Sequence, residues 1–269
     1  MRFFITSDLN LGHNEASTIY EKVIDTPQYA SATQNDVLVL LGDLTSMAAF
    51  AEPAATGALT LFKDFPGYKL LVVGNQDSGL DQEDPNYSKN QSLMRYEEWF
   101  PQIAQRNGFV LLDNSSIRLG NVGIVGCIGP LTADEIISYP AYHELSTDLN
   151  SPEQFELSVY NRFREHLAEI SDAKVIAAFM HFPPIIPKPE TIERMPAGWE
   201  EFPKEIQGRK LLVSQFWEEC LLLEIDYIFC ASFHAFEDWG PVHYTHSEPD
   251  EVKFLWVEIT EQQSSRIRH

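Results

Sequence analysis

Asp8, Asp43, Asn75, Asp77, His181 and His234 are carboxylates, an amide and imidazoles, and each stands just past the end of a short apolar run. The runs are Phe3 to Ile5, Val37 to Leu41, Leu70 to Val73, Val175 to Met180 and Tyr227 to Cys230. Runs of this length, bounded by polar and Gly residues, read as buried strands. Open α/β sheets gather their ligands at the carboxyl ends of their strands. Oxygen and imidazole-nitrogen donors delivered there together can hold a divalent cation. Taken singly, each group also has a plain structural reading: a helix cap for Asp8 and Asp43, turn formers for Asn75 and Asp77, and a hydrogen-bonded core residue for His181.

In chain order the groups read Asp8-Leu9-Asn10, Gly42-Asp43, Gly74-Asn75-Gln76-Asp77, His181, and Ala231-Ser232-Phe233-His234. That succession resembles the calcineurin-like metallophosphoesterase superfamily, whose pattern is Asp-x-His, Gly-Asp, Gly-Asn-His-Asp, an isolated His, and Gly-His-x-His. The resemblance covers nearly the whole chain. Three histidines of the pattern are here Asn10, Gln76 and Ser232, and its last glycine is Ala231.

The resemblance implies a four-layer αββα sandwich of two mixed sheets flanked by helices, as a single domain over residues 1–269. It also implies two metal ions sharing Asp43. Asp8, Asp43 and His234 would hold the first, with Asn10 in a histidine's place. Asp43, Asn75 and His181 would hold the second, with Ser232 in a histidine's place. Gln76 falls where the family has a histidine near the leaving group. It can donate a hydrogen bond there but cannot transfer a proton at neutral pH. Asp77 and His13 complete the candidate catalytic set. His13 matches an extension of the first motif in one branch of the family, and reads equally as a hydrogen-bonding support for a ligand.

Two functions follow, with different partners. The chain is a phosphatase or phosphodiesterase with an altered, weakened dinuclear centre, acting on a phosphate ester. Alternatively it is a non-catalytic binding or scaffold protein of the same fold, whose partner is a protein. A sensor that binds nucleotide or phosphate without turnover is a third, smaller alternative. Asn10 and Ser232 offer only oxygen as ligands, which favours Mn or Mg over Zn, with one or two ions and the first site better occupied.

The elements that must position these groups alternate as strand, helix, strand, helix, strand, so right-handed crossovers and a parallel sheet are expected. Asn14 to Val23 has helical character. Ser46 to Phe62 reads as a helix pair interrupted at Pro53 and Gly57. Gln91 to Arg106 reads as a helix closed by Asn107-Gly108. Phe109 to Leu112, Ser116 to Leu119 and Val122 to Ile128 read as short strands, with the second sheet starting there. Ser151 and Pro152 open a helix to Ile170, in which Phe155, Val159, Phe163 and Leu167 recur at helical spacing. Lys210 to Leu223 reads as a further helix. Val242 to Thr245 and Lys253 to Ile259 alternate like the last strands of the second sheet. His243 and His246, three residues apart on a strand, point to opposite faces. The long Pro-rich segment from Pro183 to Gln207 reads as a rim loop.

The chain has 269 residues and a formal net charge of −21. That balance argues against non-specific nucleic-acid or anionic-membrane binding, but leaves room for phosphate contact through a cation. No apolar run approaches the ~20 residues of a membrane span. Cys127, Cys220 and Cys230 form an odd set, two of them in apolar runs. They read as reduced, buried thiols of a cytoplasmic protein.

Overall fold

The computed structural model describes residues 1–11, 15–45, 52–78, 98–129, 152–182, 225–231, 242–244 and 254–259. The first sheet is built from β1 (Arg2–Thr6), β2 (Val37–Leu41), β3 (Tyr68–Val72) and β4 (Val110–Leu111), all parallel. Between them lie α1 (Ala16–Ile19), continued by a wider helical turn at Tyr20–Ile24, then α2 (Pro27–Ala30), α3 (Glu52–Thr60), α4 (Asn75–Ser78) and α5 (Phe100–Arg106). β5 (Ser116–Leu119) opens the second sheet. It runs antiparallel to β6 (Val122–Cys127), the two joined by the turn at Gly120-Asn121. α6 (Pro152–Glu169) follows, then β7 (Val175–Met180), β8 (Tyr227–Cys230) and β9 (Val242–Tyr244), each parallel to its neighbour.

Residues alternate along the strands between two apolar layers. Phe3, Ile5, Val39, Leu41 and Val72 of the first sheet face Ile124, Ala177, Phe179 and Phe229 of the second. There Phe3 stacks on Phe179, and Phe179 stacks on Phe229. The other face of the first sheet, with Phe4, Leu38, Leu40 and Leu71, is covered by Ile19, Ala58, Leu59, Phe62, Phe100 and Ile103. Helix α6 packs on β5 and β6 of the second sheet, burying Val159, Phe163 and Leu167 at helical spacing. The result is the expected αββα order. Fully burying one such large apolar side chain contributes about 1.5–3 kcal/mol.

Three expectations are corrected. The strand Phe254–Glu258, here β10, does not join the second sheet. It pairs antiparallel with β1, Phe3 opposite Val257 and Ile5 opposite Leu255, so the first sheet is ordered β10-β1-β2-β3-β4. Alternation gives a strand its buried face but not its partner, and β1 has an edge that β2 leaves uncovered. β4 likewise lies in the first sheet, beside β3. α3 is not broken, since it runs from Glu52 through both Pro53 and Gly57. Pro53 sits in the first turn, where no intrahelical N–H bond is lost. The helix proposed at Lys210 to Leu223 and the first part of the one from Gln91 lie outside the described residues, as do Cys220 and His246. Cys127 and Cys230 are buried thiols. His243 stacks on Phe229.

At the strand starts, opposite the candidate site, Asp36 ties the beginnings of β1 and β2 together. Its carboxylate accepts from the Arg2 guanidinium, the Thr33 amide (2.6 Å) and the Thr33 hydroxyl (2.8 Å). Burial pushes the Asp36 carboxyl up, but the bonds from Arg2 and Thr33 outweigh it and hold the group below the usual carboxylate range. A lowered folded value makes its contribution complete above the unfolded value of ~3.9, and lost as pH falls through the folded one. Asp36→Asn is therefore expected to lower stability at pH 7 by about 1–3 kcal/mol and to flatten the acid limb of the stability curve. Urea unfolding between pH 2 and 7 checks both.

Candidate metal centre

β1, β2 and β3 end side by side, and the loops that leave them are laced together. The Asp8 amide donates to Gly42 O at 3.1 Å, Asn10 to Asp43 O at 2.9 Å and Leu11 to Leu44 O at 2.9 Å. Asp8, Asn10 and Asp43 all have left-handed backbones, with φ of 52°, 45° and 52°. Asp and Asn tolerate that region better than other L residues. Three such residues at one set of strand ends point to a locally built site rather than to regular turns.

Two glycines permit the loops to close on one another. A Cβ on Gly42, itself at φ 80°, would meet Gly74 N at 2.5 Å and His181 Nδ1 at 2.7 Å. A Cβ on Gly74 would lie 2.1 Å from Asp43 Oδ1. Neither contact can be accommodated, so both positions are restricted to glycine while Asp43 stays where it is.

His181, at the end of β7, brings the second sheet into the same place. Its ring is fully buried, and Nδ1 lies 2.7 Å from Leu41 O at the end of β2. A carbonyl only accepts, so Nδ1 carries a proton, and in the neutral ring Nε2 is the nitrogen left with a lone pair. Nε2 is 3.6 Å from Asp43 Oδ1. A backbone carbonyl thus sets the tautomer that a metal-binding imidazole requires.

Asp43 is 3% exposed and is gripped by Gln76 through both oxygens. The Gln76 backbone N–H donates to Oδ1 at 3.0 Å and its side-chain amide to Oδ2 at 3.2 Å. Asp77 is fully buried and serves the backbone. Its Oδ1 accepts from Leu44 (2.8 Å) and Thr45 (3.3 Å), and its Oδ2 from Gly74 (3.1 Å). Burial pushes its carboxyl up to about 7, against the downward pull of the amides of Gly74, Leu44, Thr45 and Asp43.

Sequence reasoning passes over Asp113. Its carboxylate is buried and accepts from the Val73 amide at 2.9 Å, fixing the start of the loop that carries Asn75. The signal is present, because Phe109 to Leu112 is another apolar run ending in a carboxylate.

The residues that could hold a cation are tested by the atoms left over. Asp8 Oδ2, Asn10 Oδ1 and Thr45 Oγ1 are buried and find no hydrogen-bond partner among the described residues. A buried oxygen left in that state costs about 1–3 kcal/mol. A cation satisfies such oxygens, so the Asp8 and Asn10 side chains fit one. Among the described residues no three His, Cys, Asp or Glu side chains form a metal-holding group. The backbones of Asp8, Asn10, Asp43, Asn75 and His181 do gather at the strand ends, and two of these five are amides. His13, Ser232 and His234 lie outside the described residues.

A family model described as calcineurin-like phosphoesterase matches residues 1–231. No curated protein matches the chain.

Proposed function

From the premise that this chain belongs to the calcineurin-like phosphoesterase family, we propose that it is a metal-dependent phosphoester hydrolase with an altered and weakened dinuclear centre. The family is generally dinuclear and metal-dependent, and it acts on phosphoesters. The observation that carries the reading is the pair of buried oxygens on Asp8 and Asn10, beside Asp43, that find no hydrogen-bond partner among the described residues.

Asp8, Asn10, Asp43 and His234 would hold one ion, and Asp43, Asn75, His181 and Ser232 the other. Bound divalent ions polarise a phosphoryl oxygen and supply a nucleophile at neutral pH. The chain's own contributions are separable. Leu41 O keeps His181 in its ligand tautomer. Gly42 and Gly74 let Asp43 sit between the two loops. Asp77 and Asp113 hold those loops by their amides. Gln76 has no proton to give a leaving alkoxide, so esters with good leaving groups are favoured. His13 is the remaining candidate for proton transfer. The amide and hydroxyl oxygens of Asn10 and Ser232 favour Mn or Mg over Zn. Among the described residues no helix is long and apolar enough to cross a membrane.

The test is hydrolysis of p-nitrophenyl phosphate and bis-p-nitrophenyl phosphate by metal-stripped protein before and after loading with Mn or Mg. Turnover that appears on loading is expected, with alkyl phosphates slower by about 10²–10⁴-fold for want of a general acid. Absence of turnover with every metal overturns the hydrolase reading in favour of a binding protein of the same fold.

A further inference from the structure

We propose that the side-chain amide of Gln76 blocks the Asp43 carboxylate against a second ion, so that the chain takes one divalent ion tightly and accepts another only when that amide is removed. The inference rests on the metal-centre reading above and adds a residue that sets the number of ions.

Gln76 Nε2 lies 3.2 Å from Asp43 Oδ2, while the backbone N–H of the same residue is 3.0 Å from Oδ1. The direction of the amide is forced by chemistry. An ionised carboxylate only accepts, so the NH₂ and not the carbonyl oxygen must face it. A carboxylate offers about four lone-pair sites. Gln76 takes one on each oxygen, and the two grips differ in kind.

The backbone N–H cannot withdraw. Its segment is pinned by the contact of Gly74 with Asp43 and by the bond from the Gly74 amide to Asp77. The side-chain amide can rotate away. A carboxylate that served two ions would have to offer a lone pair to each. The two bonds from Gln76 leave one site on each oxygen, and the N–H on Oδ2 presents its positive end to a cation approaching the site that remains there. A histidine in that place has one proton to share between two ring nitrogens and can turn a bare nitrogen, but the NH₂ of glutamine always faces the carboxylate as a donor. The opposite role, in which the amide orients Asp43 for both ions, predicts the opposite sign on its removal.

The experiment uses the full chain, stripped of metal and titrated calorimetrically with Mn²⁺ alone. Electron paramagnetic resonance reports whether two Mn ions sit close enough to couple. Gln76→Leu keeps the volume and removes the donors, and Gln76→Ala removes both. Each is made in the native chain and in the Ser232→His background, so that a poor ligand at position 232 does not hide the effect. The native chain is expected to take one ion tightly. In Gln76→Leu the second ion is expected to bind about tenfold more tightly, the worth of one hydrogen bond, and the coupled signal to appear. A second ion that binds equally or less well in both Gln76 variants and both backgrounds overturns the proposal, as does tight binding of two ions by the native chain. Failure of every form to bind Mn²⁺ overturns the metal-centre reading instead, and this inference with it.

Discussion

Replacing Asp43 by asparagine is expected to lower metal-supported turnover of p-nitrophenyl phosphate by at least about 10³-fold, corresponding to several kcal/mol of charge stabilisation supplied through the ions. Asparagine isolates the charge from the backbone. It tolerates the φ of 52° that Asp43 adopts, where alanine would be strained. The two hydrogen bonds with Gln76 survive as well. The new side chain would accept from the Gln76 backbone N–H with its oxygen, and the Gln76 amide can flip to accept from the new NH₂. Towards Gln76, the carboxylate charge and one lone-pair face are what is lost. Mn²⁺ affinity measured on the same sample should fall with activity, while the thermal midpoint stays near that of the native chain. Turnover within tenfold of native, with unchanged metal affinity, removes Asp43 from the centre.

The strand-end placement of Asp8, Asp43 and His181 can be read from the sequence because a buried strand announces itself by an apolar run, and the residues just past it fall at the carboxyl end of the sheet. The same rule reaches Asp113, whose run is as clear. It does not reach what the carboxylates do once placed. Asp43 and Asp77 are both carboxylates just past the ends of neighbouring strands, β2 and β3, yet Asp77 binds backbone amides and Asp43 faces His181. The difference lies in which loop closes over which, and that is set by the steric demands of Gly42 and Gly74 across strands far apart in sequence. Gln76 shows the same limit. Its type tells that it donates, but only the fold supplies Asp43 as the acceptor. The sequence puts β10 in the wrong sheet for a related reason. The alternation of Leu255 and Val257 fixes an inward face that either sheet could use, and only β1's uncovered edge decides between them.

Asp77→Asn is expected to destabilise the metal-stripped protein by about 2–4 kcal/mol at pH 6, because it leaves a buried donor facing donors. The two carboxyl oxygens accept from opposite sides, Oδ1 from Leu44 and Thr45 and Oδ2 from Gly74, and the oxygen that carries the proton at pH 6 still keeps a lone pair for its N–H. An amide has one acceptor oxygen, so whichever way it turns, its NH₂ opposes a backbone N–H. The loop carrying Gly74 and the loop after Asp43 are then no longer held by one group, and Mn²⁺ affinity should fall with stability. The pH dependence gives a second signature. Burial lifts the folded Asp77 carboxyl to about 7, above its unfolded value of ~3.9. A raised folded value means that the folded protein holds the proton longer than the unfolded chain. The stabilisation from this group is therefore complete below the unfolded value and is lost as pH rises through about 7. Asparagine does not titrate, so the variant lacks this decline, and the gap between the two proteins should narrow from pH 5 to pH 8. Urea unfolding of both in chelator across that range measures it. A constant gap would mean that the amides of Gly74, Leu44 and Thr45 keep Asp77 ionised throughout, and a variant as stable as the native chain would mean that the loops are held without it.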